Sequence, residues 1–174
     1  MPASLRPICL TLLAVTLCSG LSCTEDVYVR PKGSGMAVDE VPHPINLLLP
    51  KEIEIHPFTR ISSFGGGNGG VHARVKALDS FGAETRAFGN FRFELYEVQQ
   101  QNLQRRGRRL ADWEVNLAEP DQNLLHWDRH TRSYEFKLGW NHNLPPGREV
   151  ILTASFTSRF TPRLNDHRDI TAGQ

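Results

Sequence analysis

The chain has 174 residues, 20 of them Lys or Arg against 19 Asp or Glu, and 39% of its residues are hydrophobic. That length suits one domain of ordinary size, and a formal charge of +1 argues against a dedicated nucleic-acid or polyanion binder, which would be strongly basic. Fourteen Gly and eleven Pro make the chain rich in turns, but not enough for a collagen-like or disordered polymer.

The first 22 residues stand apart. Arg6 is the only charge before Glu25, and it precedes an apolar run from Ile8 to Cys18. A membrane-spanning helix needs about 20 apolar residues, so a positive start followed by a short apolar core reads as a secretory signal. Gly20-Leu21-Ser22-Cys23 follows directly. Here the chain resembles a bacterial lipoprotein precursor, whose processing box ends in small residues and the cysteine that receives the lipid. Ser22 and Cys23 match its last two places; Gly20 stands where Leu is usual, and Leu21 is bulkier than the usual small residue. The resemblance implies export, lipidation at Cys23 and a place in the bacterial cell envelope. Thr24, where many inner-membrane lipoproteins have Asp, leans toward an outer membrane. Ordinary signal cleavage near Gly20 or Ser22, giving a product without an anchor, is the alternative.

Cysteine usage agrees with this. All three cysteines, Cys9, Cys18 and Cys23, lie in the first 23 residues. Signal removal leaves at most one, so the mature domain holds no internal disulfide. A single thiol outside the cytosol is a liability unless it is used. Removal of Arg6 also leaves 19 basic residues against 19 acidic ones, and nothing then steers toward DNA or anionic lipid.

Residues 23–50 read as a tether. Pro31, Gly33, Gly35, Pro42, Pro44 and Pro50 interrupt every regular element, which gives a semi-extended segment. Ile45-Asn46-Leu47-Leu48-Leu49 is apolar enough to dock on the domain rather than float free. From residue 51 the period is two. Ile53 and Ile55, Val71 to Ala77, Phe91 to Leu95, Trp113 to Leu117, Tyr134 to Trp140 and Val150 to Phe156 each alternate apolar with mostly polar positions. Six half-buried antiparallel strands are expected. Turn clusters separate them at 65–70, 79–82, 119–123 and 141–147. Glu97 to Arg109 has room for at most a turn or two of helix.

Apolar faces from several strands must cover one another, so an all-β antiparallel β-sandwich of six to eight strands follows, over residues 51–160. Immunoglobulin-like and transthyretin-like arrangements both fit, and a small β-barrel is the alternative. Val75 to Gly82 and then Gly89 to Glu97 resemble the paired strands of bacterial immunoglobulin-like domains, with an Asp-x-x-Gly turn closing one strand and a Gly opening the next. That resemblance bears on fold and not on function. Residues 161–174 carry charge without evident periodicity and are expected to form a polar tail without regular structure.

Chemistry is sparse. His126, Asp128 and His130 are the metal candidates, but histidines four apart on a strand sit about 13 Å apart, and no third ligand is adjacent. Polar loop histidines are the simpler expectation. There is no Gly-x-Ser-x-Gly elbow, and Cys23 sits at the mature N-terminus without a base beside it. The glycine run 65–70 lacks the Lys-Ser/Thr and the helix that a phosphate loop needs. Arg105, Arg106, Arg108 and Arg109 form the sharpest charge feature, a candidate contact for an anion or an acidic partner, with a solvated hairpin loop as the bland alternative. Trp127 lies in a polar stretch and is a candidate ligand contact, whereas Trp113 and Trp140 fall on apolar phases.

The expected function is therefore that of a non-catalytic envelope lipoprotein, a binding or scaffolding module held to the membrane by its lipid. Its partner would be an envelope protein or a surface polymer, with no nucleic acid and no cofactor. A carbohydrate- or peptidoglycan-binding module is the first alternative, and a metal-dependent hydrolase built on His126, Asp128 and His130 the second. Replacing Cys23 with Ser should abolish lipid labelling and release the protein from membranes. A variant that still labels and pellets would overturn the lipoprotein reading.

Overall fold

The computed structural model describes residues 40–64, 69–101, 105–140 and 144–173. The signal segment, Cys23 and the tether as far as residue 39 lie outside the described residues. All six expected strands form, within a larger set. In chain order these are a 3-10 turn Ile45–Leu48, then β1 Glu52–Ile55, β2 Arg60–Ser63, β3 Gly69–Leu78, β4 Asn90–Val98 and β5 Arg106–Asn116. There follow a short helix α1 Pro120–His126, β6 Trp127–Asp128, β7 Ser133–Trp140, β8 Glu149–Thr157 and β9 Leu164–Thr171. Among the described residues no helix is long and apolar enough to cross a membrane.

Two antiparallel sheets result, and they do not close into a barrel. The first runs β1-β3-β7-β6, with β2 also paired to β3; the second runs β5-β4-β8-β9. The barrel alternative therefore falls, and the sandwich stands. Its interior is the apolar phase read from the sequence. Val71, Ala73, Val75, Phe136 and Leu138 face Phe91, Phe93, Leu152, Ala154 and Phe156, all essentially buried. Rings meet across the interior, with Phe91 at 5.5 Å and Phe93 at 4.9 Å from Phe136, while Phe91 and its strand neighbour Phe156 lie 4.9 Å apart within the second sheet. A buried Phe of this kind contributes about 1.5–3 kcal/mol through the apolar area it removes from water.

Three polar devices finish the edges. Between β1 and β2 the chain bends, and the buried Thr59 hydroxyl fills the gap in the ladder. It accepts from the Arg74 amide at 3.0 Å and donates to the Arg74 carbonyl at 3.2 Å. Along one open side, β9 meets β1: Asp166 accepts from the Ile55 amide at 2.6 Å, and Arg168 donates to the Ile55 carbonyl at 3.3 Å. Along the other, Trp113 Nε1 donates to the Gly139 carbonyl at 2.7 Å.

These contacts explain where the sequence expectations gave way. The supposed polar tail is β9, paired along its length with β8. Leu164, Asp166, Arg168 and Ile170 do alternate, but an edge strand spends two of those positions on the backbone of β1 instead of on apolar burial. The turn expected at 119–123 begins α1, with Pro120 at its first turn, where a missing amide costs nothing. The apolar end of the tether does dock: the Leu47 carbonyl accepts from the Ser80 amide at 3.1 Å, and the Leu48 carbonyl from the Thr85 hydroxyl at 2.8 Å.

A buried polar knot ties both sheets to α1. Asn123, 1% exposed, donates to the carbonyls of Ala87 at 2.7 Å and Leu117 at 3.0 Å. Its Oδ1 accepts from the Tyr134 hydroxyl at 3.0 Å and from Arg86 at 3.1 Å. The Ala87 amide in turn donates to the Tyr134 hydroxyl at 2.9 Å. Burial pushes the Tyr134 phenol above its ordinary pKa, so it stays protonated and able to donate. Each buried group left without a partner costs about 1–3 kcal/mol. Asn123→Ala, which strands two carbonyls, should therefore lower unfolding stability by about 2–4 kcal/mol, and Tyr134→Phe by about 1–2 kcal/mol. Urea unfolding would measure both; losses below about 0.5 kcal/mol would show that the knot is dispensable.

Candidate functional site: a polar furrow on the four-stranded sheet

Alternation sends Ile151, Thr153, Ser155 and Thr157 of β8 to the outer face of the second sheet. On a surface strand these would be wet, yet Ile151, Thr153 and Ser155 are 2%, 8% and 9% exposed. The cause is lateral. β8 is an interior strand, and longer side chains from β4, β5 and β9 rise on both sides of it. The result is a furrow floored by one apolar residue and three hydroxyls, about 20 Å long at roughly 3.4 Å per residue.

Three connected depressions make up the furrow. The first, about 400 Å³, is lined by Arg105, Ile151, His167 and Asp169. The second, also about 400 Å³, shares His167 and adds Arg106, Thr153, Asn165, Arg163 and Glu94. The third, about 280 Å³, shares Arg163, Glu94 and Ser155 and continues to Arg92, Asn90 and Thr157. A further depression of about 350 Å³, which shares Asp169 with the first, lies where the β1–β2 bend faces β9 and is also lined by Phe58 and Arg60.

Arg163 is the cation of the furrow that keeps capacity for a ligand. Its guanidinium donates to Ser155 Oγ at 3.2 Å, and among the described residues no carboxylate lies within ion-pair distance of it. Glu94, on the opposite wall, is committed. Arg109 donates to it at 3.1 Å, and Arg92 lies 3.4 Å away. Burial alone would raise the Glu94 carboxyl, but hydrogen bonds from Arg109 and Tyr96 and the nearby Arg92 outweigh it and hold the group below its ordinary pKa. Tyr96 moves the other way, raised by burial and by its bond to Glu94.

The arginine run is divided among acids. Arg105 pairs with Asp169 at 2.7 Å and Glu149 at 3.9 Å; Arg108 pairs with Glu97 at 3.2 Å; Arg109 reaches both Glu94 and Asp112. Arg106 lies over the Tyr96 ring at 5.8 Å. What the sequence presents as a basic island is an ion-pair network in three dimensions, because β4, β8 and β9 bring their acids beside it. Arg105 and Arg106 nonetheless line the furrow at one end, while Arg108 points most fully to solvent.

The other candidates take structural roles. Trp127 is half-buried, with the Arg86 guanidinium 4.4 Å above its ring and Tyr134 edge-on at 5.0 Å, so no open stacking face remains on that side. His126 ends α1; its Nδ1 lies 2.9 Å from the Glu135 carbonyl, which can only accept, and its ring packs 5.0 Å from Phe136. Asp128 shapes the β6–β7 turn by accepting from the His130 amide and the Thr131 hydroxyl, the latter bond chiefly holding its carboxyl below the ordinary range. His130 is exposed beside it. Among the described residues no group of three or more His, Cys, Asp or Glu is placed to hold a metal ion. Cys23 lies outside the described residues.

Arg163, Asn165 and His167 belong to the stretch 161–174, whose charged composition hides a strand. The period-two pattern from Leu164 to Ile170 is the signal that finds them. Fold and furrow together define an all-β antiparallel sandwich with a polar groove on one outer face. The chain matches no protein-family model, no curated protein and no solved structure.

The lowered Glu94 carboxyl has a pH consequence. Its pairing stabilises the fold above the ordinary carboxylate value of 4.5, and that contribution is lost as pH falls through the lower folded value. Glu94→Gln should flatten the fall in unfolding midpoint between about pH 6 and pH 3.5. An acid limb identical to that of the parent would show that Glu94 carries no linkage.

Proposed function

We propose that the chain is an exported, lipid-anchored binding module of the bacterial envelope, non-catalytic, that takes an extended polar ligand along the β8 furrow. The observation that carries the reading is Arg163, a cation bonded among the described residues only to a hydroxyl, within a groove of hydroxyl, amide and ionic side chains. Such a groove offers hydrogen bonds at close intervals and one charge for orientation. The signal-like N-terminus and Cys23 supply the envelope half of the reading through the lipoprotein resemblance. A partner protein that lays an extended acidic segment across the sheet satisfies these features.

A glycan ligand is the second reading. Thr153, Ser155 and Thr157 in a row, flanked by Asn90 and Asn165, favour a polyhydroxylated chain, although among the described residues no stacked aromatic platform accompanies them. The test is capture from detergent-solubilised envelopes, with isolated cell-wall glycan as a parallel bait. Arg163→Glu is expected to lower retention of the captured species about tenfold, the order of one charge-assisted contact. Arg108→Ser, away from the furrow, should change nothing. Equal capture by the Arg163→Glu variant would remove the furrow from the reading, and retention on glycan alone would decide for the second.

A further inference from the structure

We propose that one end of the sandwich docks directly on a lipid bilayer, seating its apolar side chains at the boundary between headgroups and acyl chains. Strand directions fix which segments share that end. β3 finishes there at Leu78, β4 starts at Asn90, β5 finishes at Asn116, and β8 turns into β9 between Thr157 and Leu164. The 3-10 turn, the 79–89 connection, α1 and the 158–163 turn therefore lie together.

Nine large hydrophobic side chains are exposed among the described residues, and seven of them belong to these four segments. Ile45 and Leu48 lie on the 3-10 turn, Phe81 and Phe88 in the β3–β4 connection, Leu124 and Leu125 on α1, and Phe160 in the β8–β9 turn. Leu125 is 74% and Phe81 71% exposed. Single exposed apolar residues need no explanation; their gathering at one end does. The remaining two, Phe58 and Phe64, flank β2 elsewhere.

Two observations select a bilayer as the occupant. The described chain begins at Glu40, five positions before Ile45, and so leads directly into the 3-10 turn of this end. The residues between Cys23 and Ile45 could span tens of ångströms when extended, at about 3.3–3.6 Å each. A tether of that length holds the domain near a membrane without orienting it, and an apolar end supplies the orientation. Moreover, the protruding side chains come from four separate segments that serve both sheets. A planar apolar phase meets all four at once, as interfacial apolar faces do.

Charge plays little part. Lys51, Arg86, Arg129, Arg132, Arg159 and Arg163 at this end are offset by Glu52, Asp79, Glu84, Glu119, Asp121 and Asp128, so zwitterionic lipid should serve as well as anionic lipid. The inference rests on the anchor reading only for bringing a bilayer close, and it is testable without the anchor.

The experiment uses the exported chain with Cys23→Ser, which has no site for the lipid, and co-sedimentation with phosphatidylcholine vesicles. Binding is expected, unaffected by added phosphatidylglycerol or by salt. Phe81→Ser with Leu125→Ser, and independently Ile45→Ser with Leu48→Ser, should each raise the lipid needed for half-maximal sedimentation at least about tenfold. These positions are exposed, so unfolding midpoints should not move, and Phe58→Ser should bind like the parent. No sedimentation of the parent, or equal sedimentation of both double variants, would overturn the proposal. So would self-association that the double variants abolish, which would assign the surface to a second copy of the chain. Failure of Cys23 to take lipid would leave vesicle binding intact, which separates this proposal from the anchor reading.

Discussion

The sandwich depends on one buried polar knot, the hydrogen bonds that join Tyr134 and Asn123 to the backbone of Ala87 and Leu117. Apolar packing between sheets is strong but non-directional, and it would tolerate small slides of one sheet over the other. The knot removes that freedom. It fixes the entry to β4, the exit from β5, the helix between the sheets and the start of β7 at a single point. Buried groups in such a cluster have no water to fall back on, so the cost of misalignment is steep.

From that point outward, the structure is an answer to the edges an open sandwich leaves behind. Each sheet presents unpaired backbone groups at its sides, a standing invitation to pair with another chain. Here side chains replace the missing strands. Asp166 and Arg168 take both polar groups of Ile55, Trp113 takes the Gly139 carbonyl, His126 that of Glu135, and Thr59 bridges the break between β1 and β2. Charged and aromatic residues at these positions are therefore parts of the frame. Trp127 belongs with them: its Arg86 cover stacks it into the wall around the knot.

The same frame gives the molecule two distinct surfaces. The second sheet turns a row of hydroxyls outward between taller polar walls, and the acids on those walls neutralise most of the arginine run while, among the described residues, Arg163 bonds to Ser155 alone. The end that carries the 3-10 turn gathers seven of the nine large hydrophobic side chains exposed among the described residues. A furrow lying across one face and an apolar end at the base are compatible surfaces, because they draw on different residues.

Much of this was legible in the sequence. Period-two alternation located all six expected strands and put Phe91, Phe93, Phe136 and Phe156 inside, since half-burial of a strand is a local property that each segment displays on its own. The Ile45–Leu49 stretch does dock, but through the Leu47 and Leu48 carbonyls, with Ile45 and Leu48 left exposed, so its apolar composition marked the place and not the contact. β9 was not legible, because its inward positions Asp166 and Arg168 serve a strand 111 and 113 residues away, and an edge residue's partner leaves no mark on local hydropathy. Nor was the neutralisation of Arg105 and Arg109 legible, for their acids arrive on other strands. The sequence by itself determined which segments are strands and which of their faces turn inward, through the balance of apolar and polar side chains along each one. Only the tertiary structure decided which polar residues close the sandwich, which cation remains without a carboxylate and which exposed apolar side chains share an end, because those depend on strand order, and strand order is set by contacts between residues far apart in the chain.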